Sequence, residues 1–230
     1  MSDPVRVLLV GATGLVGQAV LAAAAGRPGL RMVALGRRAG TLPAGAQMDQ
    51  LVIAPEYWAD AVAQVRPDVI VLALGTTIAA VGGDRAAFRA VDHDLTLRCA
   101  TAARQAGVGH AILVSSVGAD PAARTFYLAT KGAVERDVAA LGFARCDILR
   151  PGLLRGARQG AVRPAERLGM AVAPLVDWAL RGALSRYRSI TASTVGQAIV
   201  KLASVQADGQ FVHHFRSIHS AARGTAYPGS

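Results

Sequence analysis

Three short groups of residues carry ligand-binding or reactive side chains at meaningful intervals. The first is Gly11-Ala12-Thr13-Gly14-Leu15-Val16-Gly17. Glycine at these places lets the chain turn tightly at Gly11, lets a ligand approach the main chain at Gly14, and lets a helix pack closely at Gly17. Free N–H groups and the partial positive charge at the start of the next helix then favour the pyrophosphate of a dinucleotide. The second group is Arg37-Arg38. A site that selects a free ribose 2′-hydroxyl carries Asp or Glu here. Two guanidinium groups and no acid favour a 2′-phosphate, hence NADP(H) over NAD(H). The third is Tyr127 and Lys131, at i and i+4 on one helix face. Lys131 and Lys201 are the sole lysines of the chain, so a lysine one turn after a tyrosine is an uncommon coincidence.

The surrounding pattern predicts the elements that hold these groups. Val5–Val10 is a short run rich in β-branched residues, and the QAVLAAAA stretch after Gly17 is a strong helix former. Strand, glycine turn and helix together give the glycine spacing its meaning. Further strands are expected at 30–35, 51–53, 69–74, 111–114, 145–149 and 210–212. Helices are expected at 55–65, 84–107, around Tyr127–Lys131, and over 191–205 with Ser193 or Thr194 as its cap. In an open parallel sheet, ligands sit at the carboxyl ends of strands. Gly75-Thr76-Thr77, Ser115-Ser116 and Pro151-Gly152-Leu153 all fall at such ends. Residues 153–165 read as a Gly/Arg-rich loop long enough for a substrate lid, and 165–184 as helical stretches around Pro174. Asp92-His93-Asp94 looks like a metal cluster, but consecutive helix positions point in different directions, and a solvated face is the simpler expectation.

Length and composition set outer limits. At 230 residues one dinucleotide-binding domain over 1–220 is expected, with a substrate-side segment at about 153–190 and a loose tail at 221–230. No apolar run approaches the roughly 20 residues that a membrane helix needs. The first strand starts at Val5, leaving no room for a signal peptide, and the protein is expected in the cytoplasm. Cys99 and Cys146 lack metal spacing and are expected as buried reduced thiols. The net charge of +10 comes from scattered arginine. A basic, soluble surface is the simpler expectation, and a basic rim that steers an anionic cofactor or small-molecule substrate the sharper one; nucleic acid has no motif behind it. A homodimer is compatible with the sequence.

Taken in order, GATGLVG, LGRR, LGTT, SSVGAD, YLATK and LRPG resemble the short-chain dehydrogenase/reductase superfamily. The stretch VDHDLTLRCATAARQAG before SSVGAD narrows the resemblance to its atypical group, which includes the Tat-interacting oxidoreductase-like proteins. The resemblance covers almost the whole chain. It implies an α/β, three-layer Rossmann fold with a mostly parallel, doubly wound sheet and a small C-terminal substrate-side extension. It places Gly11, Thr13, Gly14, Leu15, Val16 and Gly17 on the pyrophosphate, and Arg37 and Arg38 on the 2′-phosphate. Gly75, Thr76 and Thr77 would flank the ribose, and Pro151, Gly152 and Leu153 would border the nicotinamide. Ser116 (with Ser115 as the alternative), Tyr127 and Lys131 would form the catalytic trio, the last two also meeting the cofactor. Where many relatives carry an acid for the adenine amino group, Ile53 stands here, leaving a backbone carbonyl as the substitute. The implied reaction is reduction of a carbonyl by hydride transfer with Tyr127 as proton donor. A non-catalytic, redox-sensing NADPH-binding protein and a nucleotide-sugar epimerase are the alternatives.

Overall fold

Short runs of valine, isoleucine and leucine lie side by side in the computed structural model, which describes residues 3–44, 48–156 and 180–225. The strands are β1 (Val5–Val10), β2 (Leu30–Gly36), β3 (Met48–Val52), β4 (Val69–Leu72), β5 (His110–Val114), β6 (Arg145–Leu149), β7 (Leu154–Arg155), β8 (Ile190–Thr191) and β9 (Gly209–His213). Seven of them form one sheet in the order β3-β2-β1-β4-β5-β6-β9, and β7 and β8 pair separately. Every pairing is parallel. The strand order reverses between β1 and β4, and at such a point the outgoing chains diverge and leave a crevice above the sheet.

Helices cover both faces, which is why β4 and β5 are buried from end to end. They are α1 (Leu15–Ala24), α2 (Trp58–Val65), α3 (Arg85–Arg89), α4 (Thr96–Gln105), α5 (Phe126–Ala139), α6 (Ala192–Leu202) and α7 (Phe215–Arg223). Alternate strand residues divide between two cores. Val7, Leu9, Val71 and Ile112 pack with Val20 of α1, Val195 of α6 and Ile218 of α7. Leu8, Val10, Ile70 and Leu113 pack with Val62 of α2, Cys99 of α4 and Val134 of α5. The fold is the expected α/β Rossmann arrangement.

Several local expectations are revised. The helix expected over 84–107 is capped by Asp84, whose Oδ1 accepts from the N–H groups of Ala86 and Ala87, but Ala90–Leu95 is a π-helical turn between α3 and α4. The 55–65 helix begins as a 3-10 turn at Pro55–Tyr57. Thr191 caps α6, not Ser193 or Thr194, because β8 ends there in extended geometry and its Oγ1 accepts from Thr194 N at 3.1 Å. Leu154–Arg155 is a strand paired with Ile190–Thr191, not loop. The tail expected from 221 begins inside α7, where Ala221 is buried. The rest of the expected lid, at 157–165, and the helical stretches around Pro174, up to 179, lie outside the described residues. No helix among the described residues is long and apolar enough to cross a membrane.

Candidate functional site

The glycine turn lies at the carboxyl end of β1, and its glycines have different physical reasons. Gly11 has φ +92°, and a Cβ there would sit 2.6 Å from the Ala73 carbonyl oxygen. A Cβ on Gly17 would sit 2.3 Å from the Gly11 oxygen. The protein's own backbone therefore excludes a side chain at both. Gly14 is exposed, and the nearest atom to a Cβ there is 3.4 Å away. Nothing in the protein requires glycine at that place, and the room above it faces outward. Gly14 is also the N-cap of α1, with no side-chain cap and no acid in the first turn. The first N–H groups of this helix are thus left for an outside acceptor. Val16 points into the core, so it offers only its backbone. A dinucleotide pyrophosphate fits these groups.

The end of β2 lies against the same turn. A Cβ on Gly40 would lie 3.3 Å from Thr13 Cγ2 and 3.2 Å from Gln18 Nε2. Gln18 Nε2 in turn donates to the Ala12 carbonyl at 2.8 Å. Arg37 and Arg38, between them, are exposed and make no hydrogen bond or ion pair among the described residues. The carbonyl of Ile53 already accepts from Trp58 Nε1 at 2.8 Å, which reduces its capacity to serve an adenine.

Across the crevice, Gly75-Thr76-Thr77 follows β4. The Thr77 Oγ1 caps the next 3-10 turn, accepting from Ala80 N at 3.1 Å. The Thr76 N–H donates to Asp92 Oδ2 at 2.8 Å. Ser115 and Ser116 follow β5. Ser115 is buried, and its Oγ has no hydrogen-bond partner among the described residues. Ser116 is half-buried, with Oγ 3.4 Å from the Val117 carbonyl, so it is the more accessible hydroxyl. Val117 N donates to the Pro151 carbonyl at 2.9 Å, which ties this loop to the Pro151-Gly152-Leu153 turn.

Thr125 caps α5 and starts the helix that carries Tyr127 and Lys131. Tyr127 is 36% exposed, and its ring rests on the fully buried Phe88 at a centroid distance of 5.8 Å. Lys131 is only 5% exposed, and its Nζ lies 2.7 Å from Asp92 Oδ1. The solvated face expected for residues 92–94 is therefore corrected. Asp92 turns toward Lys131, while His93 is buried with Nε2 2.8 Å from Asp137 on α5. Asp94 alone keeps to the surface, its side chain 53% exposed. The sequence does carry a signal for the burial of Asp92. Phe88, Leu95, Cys99 and Ala103 form the buried stripe of this helix, and position 92 lies on it. A carboxylate on such a stripe needs a partner. The two cysteines are structural, since burial pushes both thiols up to about 12.

An NAD(P)H-binding family model matches residues 11–174, more than half of the chain. The chain belongs to the NAD(P)H-binding family. The sequence resemblance to the atypical short-chain dehydrogenase/reductases agrees with this match. It is 40% identical over 168 residues to "Protein fmp52, mitochondrial" of Aspergillus fumigatus, covering 70% of this chain and 71% of that one. It is 41% identical over 157 residues to "Protein FMP52, mitochondrial" of Saccharomyces cerevisiae, covering 66% of each. Among solved structures, MoeE5 in complex with UDP-glucuronic acid and NAD superposes with a TM-score of 0.69 at 21% identity, over 92% of this chain and 75% of that one. A putative NAD-dependent epimerase/dehydratase from Bacillus halodurans superposes with a TM-score of 0.65 at 21% identity, over 95% and 99%. These structures share the fold of the family member described here. The cytoplasmic location expected from the sequence is contradicted by the relatives, which are named as mitochondrial proteins.

Proposed function

We propose that this family member is an NADPH-dependent oxidoreductase that reduces the carbonyl group of a small molecule. The observation that carries this reading is the state of the helix α5 pair. Tyr127 is backed by Phe88 on one side and open on the other, one turn from a lysine buried in an ion pair. When bound, NADPH supplies the hydride that the carbonyl carbon receives. Tyr127 gives its phenolic proton to the carbonyl oxygen, which has taken up the electron pair of the C=O double bond. Tyr127 is 36% exposed, so its phenolate regains a proton from solvent. Ser116 donates a hydrogen bond to the same oxygen and stabilises its developing charge. Lys131 keeps N–H donors beyond its pairing with Asp92, and these serve the nicotinamide ribose. Gly14 and the start of α1 take the pyrophosphate, and Arg37 and Arg38, which pair with nothing among the described residues, take the 2′-phosphate.

The test is NADPH consumption over a panel of aldehydes and ketones. Tyr127→Phe is expected to lower kcat by at least about 100-fold, within the usual range for loss of a general acid, with NADPH Kd changed less than about twofold. Turnover that survives the substitution overturns the assignment of Tyr127. NADPH binding without turnover of any carbonyl returns the protein to a redox-sensing, nucleotide-binding role.

A further inference from the structure

Strand β7 is two residues long, and the side chains of successive strand residues part to opposite faces. Leu154 packs against the core that α1, α6 and α7 share with the sheet, so Arg155 leaves on the other side. Arg155 is half-buried, yet its Nε is closed off from solvent and has no hydrogen-bond partner. Its guanidinium makes no other hydrogen bond or ion pair among the described residues. Thr191, opposite it in the strand register, is spent on α6, its Oγ1 accepting from Thr194 N at 3.1 Å. A closed-off N–H of a cation without an acceptor is costly and calls for an explanation. The chain on either side of Arg155 indicates where an acceptor would lie. Four residues earlier is Pro151, whose turn borders the nicotinamide in the reading above. One residue later is Gly156, which lies against the first residue of α1. A Cβ on Gly156 would sit 2.8 Å from Leu15 Cδ1 and 3.4 Å from Ala192 Cβ of α6. Residues 151–156 thus run from the nicotinamide turn to the pyrophosphate turn, and Arg155 stands next to last on that path.

We propose that Arg155 is a cofactor-binding residue that grips the dinucleotide pyrophosphate at its nicotinamide-side phosphate. The guanidinium brings a charge and a fork of donors to the place where α1 offers backbone N–H groups. The phosphate oxygens are the acceptors that the protein itself does not supply. The proposal rests on the dinucleotide site of the oxidoreductase reading and not on its hydride chemistry. It also divides the work of the arginines. Arg37 and Arg38 answer the 2′-phosphate, which NADPH carries and NADH lacks, whereas Arg155 answers a group that both share. A guanidinium kept for the fold has partners in the protein, and stability falls when they are lost. Arg155 has none to lose among the described residues.

The experiment compares the wild type with Arg155→Met and Arg155→Lys as full chains, by calorimetric titration and by melting of the ligand-free protein. Arg155→Met keeps the apolar stem of the side chain and removes every donor. It is expected to weaken NADPH and NADH each on the order of tenfold, the scale of a lost charge-assisted contact, and to leave their ratio unchanged. The fragment 2′,5′-ADP carries the 2′-phosphate but no nicotinamide-side phosphate, and should bind within about twofold of its wild-type affinity. The melting temperature should hold or rise, since an unsatisfied buried N–H is removed. Arg155→Lys keeps the charge without the fork and should fall between the other two proteins. Unchanged dinucleotide affinities overturn the proposal. A loss of 2′,5′-ADP binding as large as that of NADPH does so too, because the effect is then not confined to the nicotinamide half. A lowered melting temperature, or an Arg155→Met protein that fails to fold, assigns the side chain to the fold and also overturns it. Wild-type protein that binds NADPH but reduces no carbonyl defeats the oxidoreductase reading alone, because the affinities can still be compared. Wild-type protein that binds neither dinucleotide defeats both.

Discussion

Among the described residues Asp92, Glu135 and Asp147 are buried carboxylates beside cations, and Asp147 and Asp92 are finished differently. Asp147 on β6 is fully buried and accepts two hydrogen bonds on each oxygen. Oδ1 takes His213 Nε2 at 2.7 Å and Arg145 Nη2 at 2.9 Å, and Oδ2 takes His110 Nε2 at 2.8 Å and Arg145 Nε at 2.6 Å. The Arg145 Nη1 donates to the Ala207 carbonyl at 2.6 Å, and its guanidinium lies over the Phe211 ring at 4.4 Å. A carboxylate has about four acceptor positions, and here all are used within three neighbouring strands. Asp92 accepts a single hydrogen bond, from Thr76 N to Oδ2 at 2.8 Å, and its Oδ1 meets Lys131 Nζ in an ion pair at 2.7 Å. Burial of charge does not by itself mark a functional site.

The strongest way to break this comparison is to remove Asp147. Asp147→Ala strands Arg145 beside two imidazoles, and loss of one partner of a buried pair costs about 3–5 kcal/mol. Chemical denaturation should show that loss while the folded fraction keeps its NADPH affinity. A fall in affinity larger than the fall in stability would erase the distinction between the two carboxylates. Acid should reproduce part of the effect. Burial alone would push the Asp147 carboxyl up, yet hydrogen bonds from His110, His213 and Arg145 hold it well below the usual carboxylate range. A group depressed in the folded state contributes its full stability above the ordinary carboxylate value of about 4 and loses it as the pH falls toward the folded value. Wild-type stability should therefore decline below about pH 4, and Asp147→Asn should remove this share of the slope.

The same distinction explains how much the sequence disclosed. The β1–turn–α1 unit was legible because its logic is local: the strand, the glycines and the helix follow one another within a score of residues. Tyr127 and Lys131 were legible because helix periodicity alone puts them on one face. Asp92 is not legible beside its sequence neighbours His93 and Asp94; its surroundings are set by Phe88, Leu95 and Cys99 on the same stripe. Its partners come from α5 and the β4 turn, and its aim depends on a π-turn that no residue pattern announces. Asp147 is not legible within the 145–149 strand, because His110 and His213 reach it only through the pairing of β6 with β5 and β9.

Glycine offers the next test. Gly17 is required by the protein, whereas Gly14 is open to what lies outside it. Gly17→Ala places a methyl 2.3 Å from the Gly11 oxygen and should destabilise by about 1–3 kcal/mol, as overpacking does. Gly14 has φ −77°, which alanine adopts freely, and its Cβ would clear all protein atoms by 3.4 Å. Gly14→Ala should change stability by less than about 1 kcal/mol yet weaken NADPH binding on the order of tenfold, because the methyl takes the room above the α1 N–H groups. Paired melts and titrations read both quantities. Equal losses of stability for the two variants would mean that Gly14 serves the fold after all.

Arginine gives the finest version. Arg145 and Arg150 are spent inside the protein, the latter on Glu135, with Nε 3.0 Å from each carboxylate oxygen. Arg37 and Arg38 have no such commitment among the described residues. Their folded-state cost of removal should be small, since an exposed side chain without partners loses little. Their value appears only with a 2′-phosphate present. Arg37→Ala and Arg38→Ala, compared singly, should each weaken NADPH binding by about tenfold or less, the range of one hydrogen bond to a charged group. NADH, which lacks the phosphate, should bind each variant as it binds the wild type. The ratio of the two affinities is the measurement that matters, because a general loosening of the β2 turn would lower both together and leave the ratio fixed. A fixed ratio in both variants would remove these two arginines from the site and, with them, the physical basis for preferring the phosphorylated cofactor.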